Sequence, residues 1–202
     1  MKLYLHYCSS GFNNCYVLGM DTGTEVIMID PGSMDSPILE YIENHNFILR
    51  AVLLTHDHKG HVNGLRTLRR IYQTEVFAFN RVIQDISTVP VKDGDRIDIG
   101  PFNVEVISIP GHSADSVVYR IGSLLFTGDV LTTGLVGTTD SNYGARTQIN
   151  ALRNRLLSLP GDYTVLPGHG PPSSLEAERR YNVGINQYSE TRNQKPGFKL
   201  DS

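Results

Sequence analysis

Cysteine is scarce. Cys8 and Cys15 are the two thiols in 202 residues, too few for a disulfide scaffold. They flank Ser9-Ser10-Gly11-Phe12-Asn13-Asn14, which reads as a hairpin turn. A bridge across it is geometrically conceivable, but free thiols in a reducing compartment are expected. Basic excess is absent as well. Eighteen Lys and Arg stand against 21 Asp and Glu, a formal charge of −3. That removes the electrostatic footprint of a nucleic-acid or anionic-lipid binder. The local basic group Arg66, Arg69 and Arg70 reads as a solvated helix face. Long apolar runs are missing, so no segment is built to span a bilayer. Met1–Tyr7 is too short and too polar for a signal core. A cytoplasmic protein with a small-molecule substrate is expected, and oligomeric state is left open.

What is present is an ordinary globular composition, 40% hydrophobic. The length suits one domain with its own core, placed at 1-190, with a polar tail at 191-202. Strands are expected at Leu3–Tyr7, Cys15–Leu18, Val26–Ile29, Ala51–Leu54, Glu75–Ala78, Arg96–Ile99, Phe102–Ile109, Ser116–Ile121, Leu124–Thr127 and Tyr163–Leu166. Helices are expected at Pro37–His45, at His61–Tyr72, at Thr147–Ser158 and from Leu175 to Tyr181. In the second of these, Val62, Leu65, Leu68, Ile71 and Tyr72 recur at helical spacing and should face inward. Strands come in two runs, each trailed by helices, which suits two packed sheets with helices outside.

The densest chemical signal is Thr55-His56-Asp57-His58-Lys59-Gly60-His61. It holds three of the chain's seven histidines and directly follows an apolar strand. In an extended segment, residues i and i+2 point the same way. His56 and His58 can therefore reach one ion while Asp57 points elsewhere, and His61 sits where a helix begins. Three further loops repeat the pattern of a strand end, a glycine and a metal-capable side chain. These are Pro110-Gly111-His112, Thr127-Gly128-Asp129 and Pro167-Gly168-His169-Gly170. Imidazole with carboxylate suits zinc, iron or manganese at neutral pH. Such an ion generates hydroxide from water and polarises a carbonyl or phosphoryl oxygen. Asp129 is the lone anion of the set and the natural bridge between two ions.

In these motifs the sequence resembles the metallo-β-lactamase superfamily, from Ile29-Asp30-Pro31-Gly32 to Pro167-Gly168-His169-Gly170. The resemblance implies an α/β (α+β) fold, the αββα sandwich of two mixed sheets flanked by helices. It implies one zinc held by His56, His58 and His112, a second by His61 and His169, and Asp129 between them. His56, His58 and Asp129 would be the catalytic core, with Asp30 behind the ligands, fixing imidazole orientation. One position departs from the family pattern. An aspartate usually precedes the last histidine of the cluster, and here that residue is Gly60. The second site should therefore bind its ion weakly or stay empty, and Lys59 adds an adjacent positive charge.

The second half is most similar to compact glyoxalase II-type hydrolases, in Leu125–Leu131, Val136–Asp140, Leu156–Pro160, Val165–Pro171 and Glu178–Asn182. Thr138 stands where those sequences commonly carry arginine. The implied activity is hydrolysis of a thioester, ester or lactone by metal-bound hydroxide. Tyr143 and Arg146, in the loop after Asp140, are candidate substrate contacts. Two other readings stay open: a mononuclear iron persulfide dioxygenase, and a non-catalytic metal-binding or regulatory domain of the same fold.

Overall fold

The computed structural model describes residues 1–186. β1 (Lys2–Cys8), β2 (Asn13–Gly19) and β3 (Glu25–Ile29) form an antiparallel meander. The chain then returns through α1 (Ser36–Asn44), so that β4 (Ile48–Leu53) lies parallel to β3. α2 (Lys59–Val62) and α3 (Leu65–Ile71) make the next crossover, to β5 (Glu75–Ala78). Parallel neighbours require such returns, whereas the meander needs only turns. A small hairpin of β6 (Val82–Ile83) and β7 (Ile86–Ser87) leads to β8 (Val89–Pro90). The first sheet has six strands in the order β1-β2-β3-β4-β5-β8.

The second half repeats the scheme. β9 (Arg96–Ile99), β10 (Phe102–Ser108), β11 (Val117–Ile121) and β12 (Leu124–Gly128) are an antiparallel meander. The short hairpin β13 (Leu131–Thr132) and β14 (Leu135–Val136) follows. Next, α4 (Asn142–Ala151) runs on through a π-helical turn at Leu152–Leu156 and brings β15 (Thr164–Pro167) parallel to β12. β16 (Ser173–Ser174) and α5 (Leu175–Tyr181) complete a six-stranded sheet ordered β16-β15-β12-β11-β10-β9.

The sheets pack face to face. Tyr16, Leu18, Ile29, Leu53 and Phe77 of the first meet Phe102, Val106, Tyr119, Phe126 and Leu166 of the second. On the outer face of the first sheet, Ile38 and Ile42 of α1 and Leu65 and Leu68 of α3 cover Val17, Met28 and Val52. On the outer face of the second, Leu152, Leu156 and Leu175 cover Val118, Leu125 and Val165. Each sheet thus buries both faces, which is why β2 is buried at all seven positions and shows no alternation. The architecture is an αββα sandwich of two mixed sheets flanked by helices. Among the described residues, no helix is long and apolar enough to cross a membrane.

Several expectations change. The helix expected over His61–Tyr72 is two helices, broken at Asn63-Gly64. Gly64 donates its N–H to the Pro31 carbonyl at 2.9 Å, and a Cβ there would lie 2.5 Å from that oxygen. The break turns Ile71 outward, to 48% exposure. The helix expected from Thr147 starts at Asn142, capped by the Ser141 hydroxyl, which accepts from Gly144 N–H. Tyr143 and Arg146 are therefore helical rather than in a loop. Asn13 and Asn14 are not turn residues: both lie buried in β2. Cys8 and Cys15 are unbridged, as expected, and both are buried. The end of the 1-190 domain and the tail 191-202 lie outside the described residues.

Candidate metal centre

Every candidate side chain stands just past a strand, at the same edge of the sandwich. After β4 the backbone bends at Thr55 and is extended again at His58, at φ −91° and ψ 142°. His56 and His58 thereby share a side. α2 starts at Lys59 and swings His61 back toward them. His112 follows β10, Asp129 follows β12 and His169 follows β15. Among the described residues, two groups of side chains able to hold an ion result, His56, His58, His112 and Asp129 in one, and His61, Asp129 and His169 in the other. In each group the donor atoms lie within 4.8 Å of one another.

His58 Nδ1 stands 3.0 Å from His56 Nε2 and 2.9 Å from His112 Nε2. Asp129 sits between the groups. Its Oδ2 is 3.9 Å from His56 Nε2, 3.8 Å from His112 Nε2 and 3.4 Å from His61 Nε2, and its Oδ1 is 2.7 Å from His169 Nδ1. Asp57 is exposed and belongs to neither group, and its backbone N–H donates to Asp115 at 2.9 Å.

The atoms facing the centre are freed by partners behind. Asp30 Oδ2 accepts from His61 Nδ1 at 2.8 Å and from the Thr55 hydroxyl at 2.7 Å, and Oδ1 accepts from Thr55 N–H at 2.8 Å. The Thr55 proton is thus committed to Asp30. Its oxygen accepts from His56 Nδ1 at 3.0 Å, which leaves His56 Nε2 without a proton. The Thr138 carbonyl accepts from His112 Nδ1 at 2.8 Å and frees Nε2 in the same way. Asp30 adopts a positive φ of 52°, a backbone cost for a non-glycine residue that recurs at functional sites.

Electrostatics follow from this geometry. Burial, aided by the neighbouring His61, pushes the His56 imidazole down to about 2. Burial likewise lowers His58. In His61 burial is outweighed by the charges of Asp30 and Asp129, which lift it to about 10. Asp129 is half-buried, but its hydrogen bond with His169 and the adjacent charge of His61 hold its carboxyl far below the usual range. An anion flanked by imidazoles is a cation site by charge as well as by shape. His61 Nε2 is buried and makes no hydrogen bond, and such an orphaned donor or acceptor is costly unless something else engages it. The residues present therefore fit a divalent ion.

Gly60 is packed rather than simply lacking a side chain. A Cβ at Gly60 would stand 3.2 Å from the Gly11 carbonyl oxygen, and one at Gly11 would meet Gly60 backbone at 2.6 Å. The β1–β2 turn therefore occupies the space beside the second group. Tyr143 and Arg146 project from the exposed side of α4, Tyr143 at 80% exposure. The first turn of α4 abuts the His112 loop, a Cβ at Gly144 falling 3.0 Å from the Gly111 carbonyl. Sequence reasoning missed Thr55, Asn14 and Tyr16. The visible signal was the pair of amides opening β2, masked by the usual link between Asn and turns.

Comparison with known proteins agrees with this geometry. The metallo-beta-lactamase superfamily profile matches residues 9–169. The probable metallo-hydrolase YqgX of Bacillus subtilis is 31% identical over 199 residues, spanning 87% of this chain and 93% of that protein. A hydroxyacylglutathione hydrolase of Chromohalobacter salexigens is 34% identical over 161 residues, 78% of this chain but only 62% of that enzyme. Among solved structures, ETHE1 from Myxococcus xanthus superposes with a TM-score of 0.82 at 26% identity, covering 97% of this chain and 93% of that one. With the profile match spanning most of its length, the chain belongs to the metallo-β-lactamase superfamily.

Proposed function

We propose that the chain is a metal-dependent hydrolase of small thioesters, esters or lactones, working in the reducing cytoplasm. The observation that carries this is Asp129, a lone carboxylate held between two groups of imidazoles. The centre opens to solvent on the side of His58, which is exposed, and His112, which is half-buried. In this reading His56, His58, His112 and Asp129 hold the first ion, while His61, His169 and Asp129 hold a second, weaker one. Zinc suits the donors, and iron and manganese do as well. A bound ion supplies a lowered water pKa and a polarised carbonyl.

The chain's own groups do the rest. Asp129, ionised at all working pH, would orient the attacking water toward the acyl carbon; as the acyl C–S or C–O bond breaks, the leaving thiolate or alkoxide takes up the proton the water gives up. Thr55 and the Thr138 carbonyl fix the tautomers of His56 and His112, so that each turns an unprotonated Nε2 toward the centre. Asp30 fixes His61 from behind. Tyr143 and Arg146 are the proposed substrate contacts, carried on the helix that abuts the His112 loop. Similarity to hydroxyacylglutathione hydrolases favours a thioester.

The test is turnover by zinc-loaded protein on S-acyl glutathiones, aryl esters and lactones. Hydrolysis that disappears in Asp129→Ala supports the proposal. Oxygen uptake by iron-loaded protein with a persulfide would replace it with the dioxygenase reading. No turnover on any of these would leave a metal-binding domain without catalysis.

A further inference from the structure

The loop carrying His169 is gripped by a residue more than 150 positions earlier in the chain. Asn14 donates its backbone N–H to the Gly168 carbonyl at 2.7 Å. Its side-chain amide donates to the Pro167 carbonyl at 3.0 Å and to the Gly170 carbonyl at 2.7 Å. The Tyr16 hydroxyl adds a bond to the Pro167 carbonyl at 2.6 Å. Carbonyls on both sides of His169 are thus fixed by one strand. Asn14 is buried and Tyr16 is 1% exposed, so water does not compete for these bonds. Next to it, Asn13 donates from Nδ2 to the Asp30 carbonyl at 3.0 Å. That carbonyl belongs to the residue whose carboxylate holds His61.

We infer that Asn13 and Asn14 are positioning residues for the second metal position, and that Asn14 sets how firmly His169 is presented there. His61 and His169 are the two imidazoles the four-donor group does not use. The Asn pair reaches the backbone behind both. His56 is held by Thr55 and His112 by the Thr138 carbonyl, and none of Asn14's hydrogen bonds reaches these residues. Asn14 therefore governs the second ion and not the first, whereas Asn13 acts through Asp30, which stands behind both groups. This rests on the metal-centre reading above and specifies which part of the fold tunes each position.

The experiment is zinc titration of the full chain against a chromophoric chelator. The wild type should take two ions, the second more weakly. Asn14→Ala should weaken the second ion by roughly tenfold or more, the scale expected for groups behind a ligand. The first ion should stay within about twofold. Tyr16→Phe, which removes one donor and keeps the ring, should act in the same direction with a smaller effect. It carries the test if the alanine variant does not fold. In a His169→Ala background, Asn14→Ala should add no further loss in zinc binding. A wild type that takes a single ion, variants that weaken both ions alike, or variants that leave the second untouched would overturn the inference. A protein that behaves as expected here but hydrolyses nothing would sink the proposed activity and leave this inference standing.

Discussion

Asp30 and His61 face each other across 2.8 Å in a fully buried pocket, and the same Asp30 oxygen receives the Thr55 hydroxyl. One carboxylate thus stands behind both groups of imidazoles, directly for His61 and through Thr55 for His56. Asp30→Asn keeps the shape but offers an amide N–H to a pocket of donors. Metal affinity should fall about 10–100-fold at both positions. Competition with a chelator reads this out, and an unchanged affinity would remove Asp30 from the centre's machinery.

Thr55 makes a narrower demand. Its single proton goes to Asp30, so its oxygen must accept from His56 Nδ1. Thr55→Val is close in volume but lacks the hydroxyl. It should weaken the first ion by about tenfold, and Thr55→Ser should restore it. If serine is no better than valine, packing rather than the hydrogen bond accounts for the effect. A Cβ at Gly128 would come within 2.4 Å of this hydroxyl oxygen, so position 128 must stay glycine for Thr55 to keep its place.

Placing a carboxylate at position 60 should not build a stronger second site. The new Cβ would press on the Gly11 carbonyl at 3.2 Å, and overpacking of this kind costs about 1–3 kcal/mol. Gly60→Asp should therefore lower the urea midpoint without tightening the second ion. A stable variant with a tighter second ion would mean that the turn yields easily.

Two imidazoles pull stability in opposite directions with pH. His61 titrates near 10 when folded, above its ordinary value of 6.5. Its contribution is fully present below pH 6.5 and is lost as pH rises through about 10. His56 is held near 2, below 6.5, so its contribution is present above 6.5 and fades as pH falls. Metal-free protein should be most stable near neutrality and weaken in both acid and base. Because His61 is protonated there, filling the second position near pH 8 should release roughly one proton. Calorimetry in buffers of different ionisation enthalpy measures that number, and zero release would contradict the charged state assigned to His61.

Much of this centre was legible before any coordinates. His56 and His58 were paired by the two-residue period of an extended chain, a local property. Glycines beside His112, Asp129 and His169 marked strand ends, and alternating runs of strands and helices gave two covered sheets. The boundaries that failed did so at close approaches. Gly64 under Pro31 and Gly144 against Gly111 put backbones in contact, and no sequence period records which distant segment will press there. Tyr143 and Arg146, expected in the loop after Asp140, lie on α4 instead, because Ser141 caps a helix that begins at Asn142.

The sequence by itself determined which residues could bind a cation and which strand ends would carry them, because hydrophobic period and turn chemistry act over a few residues. Only the tertiary structure decided that Asn14 would hold the His169 loop, that Asp30 would serve both imidazole groups, and that the Gly11 turn would fill the space beside Gly60. These are contacts between segments far apart in the chain. They are set by how the two sheets stack and by the requirement that every buried carbonyl and amide find a partner, which no local stretch of residues encodes.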